Sequence, residues 1–326
     1  MSLILGINIL GQYTSSSIFI DGKIKHAISE ERLTRQKGKY DFPIMSIKHC
    51  LKSLGLNDLS SIDEIIVNWN PEKSMKLINR GGFTKYRRYD PEYLYILPNN
   101  LSDFYGNKNI EQMSQTFSDG KVIRYLNHHL SHFGWVYSSK FEKCCVAIFD
   151  EYGEDESVSF YDVNGNNYKK LKNSLFPNSL GIFFSTFTEF LGMKPYNDEW
   201  KIMGAAAYGD NKRFLKKIEE IVYVDKEGLF LDKNFFTYSD TRFSGYYNHK
   251  LKNHLNVNLE KNDYYSQDFF DLAASVQAVF EKILIQLLRN LYKITKKNKL
   301  VINGGSAMNC LANGKIVSQT DFQDIY

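Results

Sequence analysis

The feature that most constrains this chain is one order of predicted elements that occurs twice. The first occurrence begins with three short strands, at Leu3–Asn8, Ser16–Ile20 and Lys23–Ser29. Asp21-Gly22, between the last two, is a strong signal for a two-residue hairpin. Apolar residues at helical spacing predict a helix over Pro43–Leu54, and an apolar strand follows at Ile62–Trp69. The chain therefore opens as a β-meander, a helix and a fourth strand.

The second occurrence begins near the middle of the chain. Its strands are predicted at Cys144–Asp150, Ser157–Val163 and Tyr168–Leu171, and the hairpin signal between the last two is Asn164-Gly165. The two occurrences share architecture but no repeated sequence. Two such units resemble the duplicated ribonuclease-H-like α/β fold of the actin, Hsp70 and sugar-kinase superfamily, in which a nucleotide lies between the halves. We expect the halves at 1–140 and 141–326, the second one incomplete at its C-terminus. Fold class alone gives no function.

Composition agrees with two globular units and narrows the partners. The chain has 326 residues, of which 43% are hydrophobic and 15% aromatic, enough for a sizeable core. Its net charge of +4 is too weak to indicate a nucleic-acid partner. No apolar run reaches the ~18 residues that span a membrane, and no signal-peptide pattern is present, so we expect a cytoplasmic protein. Four cysteines without zinc-site spacing fit a reducing compartment, and Cys144-Cys145 is predicted to be strand core.

A long helix and a strand are predicted near the C-terminus. Apolar residues from Phe270 to Ile294 recur every three or four positions, which indicates one helix, and a strand follows at Leu300–Asn303. The lysines between them suit the negative end of the helix dipole as a solvated face, and a phosphate patch is the alternative. The segment from Asn70 to Gly120 has no assignable periodicity. It contains the cations Arg80, Lys85, Arg87 and Arg88. These suit a surface loop or an anionic ligand.

The sharpest cluster of chemically active residues is a run with three histidines, Asn127–His132. On a helix, His128 and His132 lie four positions apart on one face, where two imidazoles can reach one ion. Asp150 adds a carboxylate at the end of an apolar strand. Two histidines and one carboxylate form an open site for iron or zinc. The alternative is that the histidines are surface or capping residues.

Two glycine-containing turns are candidates for binding phosphates. In Asp150–Glu154 a strand is followed by acidic residues and Gly153, where backbone N–H groups can approach a phosphate. A carboxylate-rich hairpin turn explains this pattern equally well. The second turn is Gly304-Gly305 after the last predicted strand, with Asn309 one helical turn further on. A nucleotide-binding turn and a tight strand-to-helix turn are its two interpretations.

Seven segments together resemble one known family, and they occur in the same order over essentially the whole chain. They are Ala27–Lys37 with Phe42-Pro43, Asn127–His132, Asp150–Glu154, Ser179–Phe184, Asp198–Gly204, Ala273–Gln277 and Gly304–Cys310. On these residues the chain is similar to the N-terminal domain of the O-carbamoyltransferase family, of the nodulation-factor, tobramycin and cephamycin carbamoyltransferase type. Each segment alone is a weak signal, and their common order carries the resemblance.

The resemblance implies a transferase whose fold is related to that of the threonylcarbamoyl-adenosine-forming enzymes. Carbamoyl-adenylate, made from ATP and carbamoyl phosphate in a separate domain, would be consumed by a hydroxyl of a small-molecule or sugar acceptor. Fe(II) or Zn(II), held by His128, His132 and Asp150, would act as a Lewis acid. The nucleotide would contact Gly153, Gly304, Gly305 and Asn309.

Three cations are the candidate catalytic residues within that resemblance. Arg35 and Lys37 would meet phosphate oxygens if the loop after the third strand folds inward. Lys201 would serve in a similar way. Each of the three is otherwise a surface cation.

Two departures from the family pattern affect what can be expected. The family has a His-Asp pair between its first two strands, where this chain has Gln12-Tyr13. This puts transfer chemistry in doubt more than nucleotide or metal binding. Family members also continue beyond the Gly304-Gly305 turn with another aspartate ligand and an adenylate-forming domain. Because the sequence stops at Tyr326, we expect a C-terminal domain or a companion protein to supply them.

The sequence leaves three functional hypotheses open. The first is the acceptor-transfer part of an O-carbamoyltransferase. The second is a non-catalytic nucleotide-binding or partner-docking module, motivated by Gln12-Tyr13. The third is a small-molecule kinase of the same superfamily, for which Thr14 is available as a phosphate-loop residue but against which the histidine cluster argues.

Overall fold

The computed structural model describes residues 2–9, 11, 13–38, 41–70, 112–116, 120–238, 245–257, 259, 264 and 266–326. The chain divides into two compact units, Met1–Ser131 and His132–Tyr326. Each unit contains its own main sheet. The four cations predicted in the loop after Asn70 lie outside the described residues, as does Gln12.

The first unit contains a six-stranded sheet. Its strands are β1 (Leu3–Asn8), β2 (Ser15–Ile20), β3 (Lys23–Ser29), β4 (Glu64–Val67), β5 (Gln112–Thr116) and β6 (Val122–Leu126). They lie in the order β3-β2-β1-β4-β6-β5. The first three form an antiparallel meander, β4 runs parallel to β1, β6 runs parallel to β4, and β5 is antiparallel to β6.

The predicted meander is confirmed, with β2 beginning one residue earlier than expected. Leu5 and Ile18 are partners across β1 and β2, and both are completely buried. Asp21 and Gly22 have positive φ angles of 48° and 75°. A two-residue hairpin that follows the right-handed twist of its strands needs positive φ at both positions, which is why this dipeptide is found there.

The described helices of the first unit are α1 (Glu30–Thr34), α2 (Ile44–Lys52) and the start of α3 (His128–Phe133), within which the division between the units falls. The N-cap residue of α2, Pro43, forms no side-chain capping bond. The carboxylate of Glu30 takes this role, because it accepts the N–H groups of Met45 and Ser46 at 3.0 and 2.7 Å. A carboxylate also suits the positive end of a helix dipole. Glu30, in the first of the seven segments, thus has a structural function.

The second unit contains a five-stranded sheet and a small ribbon. The strands are β7 (Lys143–Phe149), β8 (Glu156–Asn164), β9 (Asn167–Leu175), β10 (Val222–Val224), β11 (Leu229–Leu231), β12 (Lys299–Asn303) and β13 (Asp324–Ile325). The sheet has the order β13-β12-β7-β8-β9, and β10 pairs with β11 alone. Strands β7 to β9 form an antiparallel meander, whereas β12 is parallel to both β7 and β13.

Helices pack with this second sheet around a core that is centred on α9. The helices are α4 (Val136–Ser139), α5 (Leu180–Phe190), α6 (Glu199–Ala205), α7 (Leu215–Glu219), α8 (His249–Leu255), α9 (Gln267–Thr295), α10 (Cys310–Asn313) and α11 (Ile316–Gln319), with 3-10 turns at Ala206–Tyr208 and Ser306–Met308. The apolar stripe predicted for α9 is buried from Ala273 to Leu291, whereas Phe270 at its start is partly buried and Ile294 at its end is 60% exposed. Ser266 caps this helix by accepting the N–H of Phe269.

One lysine of the cluster that follows α9 differs from the solvated face that the sequence favoured. The side chain of Lys297 is 16% exposed. Its ammonium group forms an ion pair with Asp162 of β8 and donates to the carbonyl of Val163 at 2.6 Å. For this residue the prediction is wrong, because the side chain pairs with the carboxylate of Asp162 instead of extending into solvent.

Apart from the antiparallel edge strand β5, the two main sheets share one topology. In each, an antiparallel meander presents its first strand to a series of parallel strands on the other side. This is the ribonuclease-H-like arrangement, and its presence in both units confirms the predicted duplicated α/β fold. No helix among the described residues is long and apolar enough to cross a membrane.

Candidate functional site

The histidine run forms a helix, which is the condition for its residues to share an ion. At the start of α3, the N–H of Ser131 donates to the carbonyl of Asn127 at 3.0 Å. His128 and His132 lie four positions apart and therefore project from one face. His129 is buried and lies on a different face.

Asp150 lies directly after β7 and meets this face with one of its carboxylate oxygens. Its Oδ2 is 3.2 Å from Nε2 of His132. Its Oδ1 accepts the backbone N–H groups of Glu151 and Gly305 at 2.9 and 3.1 Å. One ligand atom from each of His128, His132 and Asp150 lies within 4.8 Å of the others. The structure thus brings together the three residues that the sequence predicts as metal ligands.

This donor set fits an ion such as Fe(II) or Zn(II). Both ions take imidazole nitrogen and carboxylate oxygen, and three protein ligands leave a position open for a substrate. The side chains are also oriented by their neighbours. Two N–H groups hold Asp150, and the carbonyl oxygen of Asn68 lies 3.4 Å from Nδ1 of His128. In metal sites, the ligand side chains are generally oriented by hydrogen bonds to those of their atoms that do not contact the metal.

The Gly304-Gly305 turn approaches the end of β7 so closely that side chains are excluded. Gly304 has a φ of +103°, and a Cβ atom there would lie 2.3 Å from the carbonyl oxygen of Phe149. A Cβ atom at Gly305 would lie 2.9 Å from Oδ1 of Asp150. The N–H of Gly304 donates to Oδ1 of Asn303 at 2.7 Å. The two glycines therefore make the tight turn that fixes Asp150, and their binding of a nucleotide stays a prediction.

The N-terminus of α5 joins the same cluster, through two residues that sequence reasoning did not assign to the site. Ser179 caps the helix by accepting the N–H groups of Gly181 and Ile182, and its hydroxyl donates to the carbonyl of Asp150 at 3.1 Å. A Cβ atom at Gly181 would lie 2.6 Å from Cα of Glu151 and 2.8 Å from Oγ of Ser306. The signal for this arrangement was a serine directly before an apolar run, which is typical of a helix N-cap.

The other two predicted nucleotide contacts have internal partners. The N–H of Gly153, which is buried, donates to the carbonyl of Glu156 at 2.6 Å within the β7–β8 turn. Asn309 is 6% exposed and forms a reciprocal amide pair with Gln277 at 2.9 and 3.0 Å. Its Oδ1 also accepts the N–H of Ala312 and so caps α10. Gly153 thus closes the turn after Asp150, and Asn309 joins the start of α10 to α9.

Comparison with known proteins identifies the family. The family described as "Carbamoyltransferase N-terminus" matches residues 3–326. The chain belongs to this carbamoyltransferase family. An uncharacterized protein of Synechocystis sp., sll1178, is 26% identical over 100% of the chain and 54% of its own length. The nodulation protein NolNO of Sinorhizobium fredii is 29% identical over 94% of the chain and 42% of its own length. The chain thus spans about half the length of these relatives.

Among the solved structures to which the chain is similar is the activator of the 2-hydroxyisocaproyl-CoA dehydratase from Clostridium difficile with bound ADPNP. The two are 11% identical, the match covers 99% of this chain and 87% of the other, and the TM-score is 0.47.

Of the three candidate catalytic cations, Arg35 and Lys37 lie in the first unit and Lys201 lies in the second. Lys201, on α6, is 2.8 Å from Oδ1 of Asp198 and 5.7 Å from the centroid of the exposed Trp200 ring. The hydrogen bond from Lys201 holds the pKa of Asp198 below its usual range. Arg35 ends α1 in a left-handed conformation with a φ of 58°, and both it and Lys37 are exposed. Their catalytic roles stay predictions.

The position at which the sequence departs from the family pattern lies between β1 and β2. Tyr13 has a φ of 67° and is 41% exposed. Thr14, the residue that the kinase hypothesis requires, is 1% exposed and its carbonyl accepts the N–H of Glu30 at 2.8 Å. A threonine buried in this way does not present its hydroxyl as a phosphate loop would, which weakens the kinase hypothesis.

Proposed function

We propose that this chain carries out the transfer step of an O-carbamoyltransferase. A carbamoyl group would pass from carbamoyl-adenylate to a hydroxyl of a small-molecule or sugar acceptor. The observation that supports this best is the set of donor atoms on His128, His132 and Asp150 within 4.8 Å, in a chain of the carbamoyltransferase family.

His128, His132 and Asp150 would hold Fe(II) or Zn(II), which when bound supplies Lewis-acid polarisation of a carbonyl or hydroxyl oxygen. The chain's own part is to keep the three donors in place before substrate arrives. The N–H of Gly305 holds Oδ1 of Asp150, and the hydroxyl of Ser179 holds the carbonyl of the same residue. Such preorganised contacts spare the reaction the cost of reorienting polar groups.

The adenylate phosphate would lie at the N-terminus of α5, beside the glycine turn. A Cβ atom at Gly181 would lie 2.8 Å from Oγ of Ser306, so the Ser306 hydroxyl lies close to the first turn of α5. The Oγ atom of Ser306 is buried and has no hydrogen-bond partner among the described residues. A hydroxyl donor at the positive end of an eleven-residue helix suits a phosphate oxygen. Arg35, Lys37 and Lys201 would add positive charge from the periphery.

In the transfer step, the acceptor oxygen would form a bond to the carbamoyl carbon as the bond from that carbon to the phosphate oxygen breaks. AMP would leave with the electron pair of the broken bond, and the proton of the acceptor hydroxyl would pass to solvent. Carbamoyl phosphate and ATP would be the sources of the adenylate. A C-terminal domain or a companion protein would form it, because the chain spans about half of its relatives.

Metal analysis of the purified chain tests the metal part of this proposal. We expect wild type to bind iron or zinc, and the His128→Ala/His132→Ala variant to lose it, because two of the three donors are removed. His249→Ala, which alters an exposed histidine on α8, is the matched control and should keep the metal. Equal metal content in wild type and the double variant would contradict the proposal.

A non-catalytic nucleotide-binding or partner-docking module is the second candidate. Tyr13 favours it, since a half-exposed tyrosine stands where the family has an acid/base pair. Calorimetry with ATP and AMP, followed by a transfer assay with the adenylate-forming domain supplied, separates the two. Nucleotide binding without carbamoyl transfer to any acceptor would favour the second candidate.

A further inference from the structure

Trp69 lies directly beside the first of the candidate metal ligands. It is 9% exposed, and its ring stacks on that of His128 with the centroids 4.3 Å apart and an angle of 22° between the planes. The preceding residue makes a second contact, because the carbonyl oxygen of Asn68 lies 3.4 Å from Nδ1 of His128. The stack sets the plane of the imidazole. A proton on Nδ1 directed at this carbonyl would leave the lone pair of Nε2 available to a metal.

Asn68 is held in place by the neighbouring strand rather than by the histidine. Its Oδ1 accepts the N–H of Ile9 at 2.9 Å, and its Nδ2 donates to Oδ1 of Asn8 at 2.5 Å. Asn8 also donates to the carbonyl of Tyr13 at 3.2 Å. Because β1 and β4 are adjacent in the sheet, these bonds tie two strand ends together. The segment that contacts His128 is therefore part of the sheet framework.

Packing accounts for an aromatic ring at position 69 but not for an indole. The Nε1 atom of Trp69 is buried and has no hydrogen-bond partner in the part of the chain that the structure describes. Leaving a buried donor without an acceptor is destabilising, and a phenylalanine would stack on His128 without that cost. The indole N–H is thus a donor held beside the metal-candidate histidine.

We propose that Trp69 is a positioning residue for metal binding. Its ring holds His128 in the orientation of a ligand, and its N–H donates to an oxygen atom of the group that binds next to His128, such as a water or a carbonyl oxygen. The inference rests on the proposed function only in that His128 is taken as a ligand.

Tryptophan emission provides a first test, because the chain has three tryptophans and the other two, Trp135 and Trp200, are exposed. In a Trp135→Phe/Trp200→Phe background, Trp69 is the sole emitter. Co²⁺ added to this full chain, after removal of endogenous metal, should quench the emission in a saturable way that EDTA reverses. Adding His128→Ala/His132→Ala should abolish the quenching, since the ion then no longer lies within contact range of the indole.

Metal affinity provides a second test that needs no tryptophan signal. The visible absorbance of bound Co²⁺ would be titrated in Trp69→Leu, which removes ring and N–H, and in Trp69→Phe, which removes only the N–H. We expect Trp69→Leu to weaken Co²⁺ binding ~10-fold, the size typical of groups that orient a ligand. Trp69→Phe should weaken it less. Trp200→Leu is the control and should leave the affinity unchanged.

The outcomes distinguish this inference from the proposed function. An unchanged Co²⁺ affinity in folded Trp69→Leu would overturn the positioning role. If that variant does not fold, the emission titration decides. Absence of quenching while absorbance shows Co²⁺ bound through His128 would then overturn it. Co²⁺ binding that is absent, or that persists in His128→Ala/His132→Ala, would instead contradict the metal part of the proposed function.

Discussion

Asp150→Asn is the substitution that tests most directly whether one carboxylate connects the metal site to the glycine turn. The two N–H groups of Glu151 and Gly305 point at Oδ1, so an amide at this position will orient its oxygen toward them. Its NH₂ group then takes the place of Oδ2, 3.2 Å from Nε2 of His132. An amide nitrogen does not ligate a metal, so the variant loses a ligand without losing volume.

The size of both effects can be estimated. Substitution of residues that hydrogen-bond to a metal ligand alters metal affinity by ~10–100-fold. Loss of the ligand itself should therefore lower the affinity at least about 100-fold. That corresponds to about 2.7 kcal/mol of binding free energy. Hydrogen bonds to a charged group contribute ~1.5–3 kcal/mol and neutral ones ~0.5–1.5, so neutralising the acceptor of two bonds should cost roughly 2 kcal/mol of unfolding free energy. The melting temperature of the metal-free protein should fall by ~4–8 °C.

Competition for Zn²⁺ against a chromophoric chelator measures the affinity, and thermal denaturation in EDTA measures the stability. Asp162→Asn is the matched control, because it removes the carboxylate that pairs with Lys297 on β8. It should lower stability and leave Zn²⁺ affinity unchanged. If Asp150→Asn binds Zn²⁺ within threefold of wild type while the control behaves as expected, Asp150 is not a ligand and the reasoning is refuted.

Three further outcomes check the framework around the site. Gly304→Ala, with a φ of +103° and a Cβ atom 2.3 Å from a β7 carbonyl, should lower the free energy of unfolding measured in urea by ~2–4 kcal/mol. Gly314→Ala, whose nearest contact is 3.4 Å, should leave it unchanged. The thiol of Cys310 is exposed and burial raises the pKa of the other three, so Ellman's reagent should label about one thiol in the native protein and all four after denaturation. Burial raises the pKa of Asp271, but hydrogen bonds from Arg213 and neighbouring amides outweigh it and hold the pKa below its usual range. The ionised Asp271 carboxylate should stabilise the folded protein fully above about pH 4, and this stabilisation should be lost as the pH falls further. The free energy of unfolding should therefore decrease more on acidification below about pH 4 in wild type than in Asp271→Asn.

The strands of both meanders could be predicted because hairpin dipeptides and apolar alternation are local signals. Asp21-Gly22 and Asn164-Gly165 placed two turns, and the strands on either side followed. Helix α5 was not predicted as a helix. Its residues are buried on almost every side, so no polar face produces a 3.6-residue period, and only the capping serine marks its start.

The site was predictable where the spacing was local and not where it depended on the fold. His128 and His132 share a helix face by sequence spacing alone, and Asp150 was placed by its position at a strand end. Trp69 carries no such signal, because its contact with His128 joins residues that are far apart in the chain. The ion pair between Lys201 and Asp198 could have been predicted from the sequence, because the two residues are three positions apart on one helical turn.

Several residues in the segments that carry the family resemblance have structural roles in this fold. Glu30 caps α2, Ser179 caps α5, and Asn309 pairs with Gln277. These contacts lie in the segments that carry the resemblance, yet none of them requires a reaction. Those in the second unit set how α5 and the glycine turn approach Asp150. A chain can therefore keep this scaffold, with its candidate metal donors and glycine turn, even where the β1–β2 loop departs from the His-Asp pair that the family resemblance predicts. The proposals of metal binding and of carbamoyl transfer are for this reason tested separately, because the contacts around Asp150 bear on the first and not on the second.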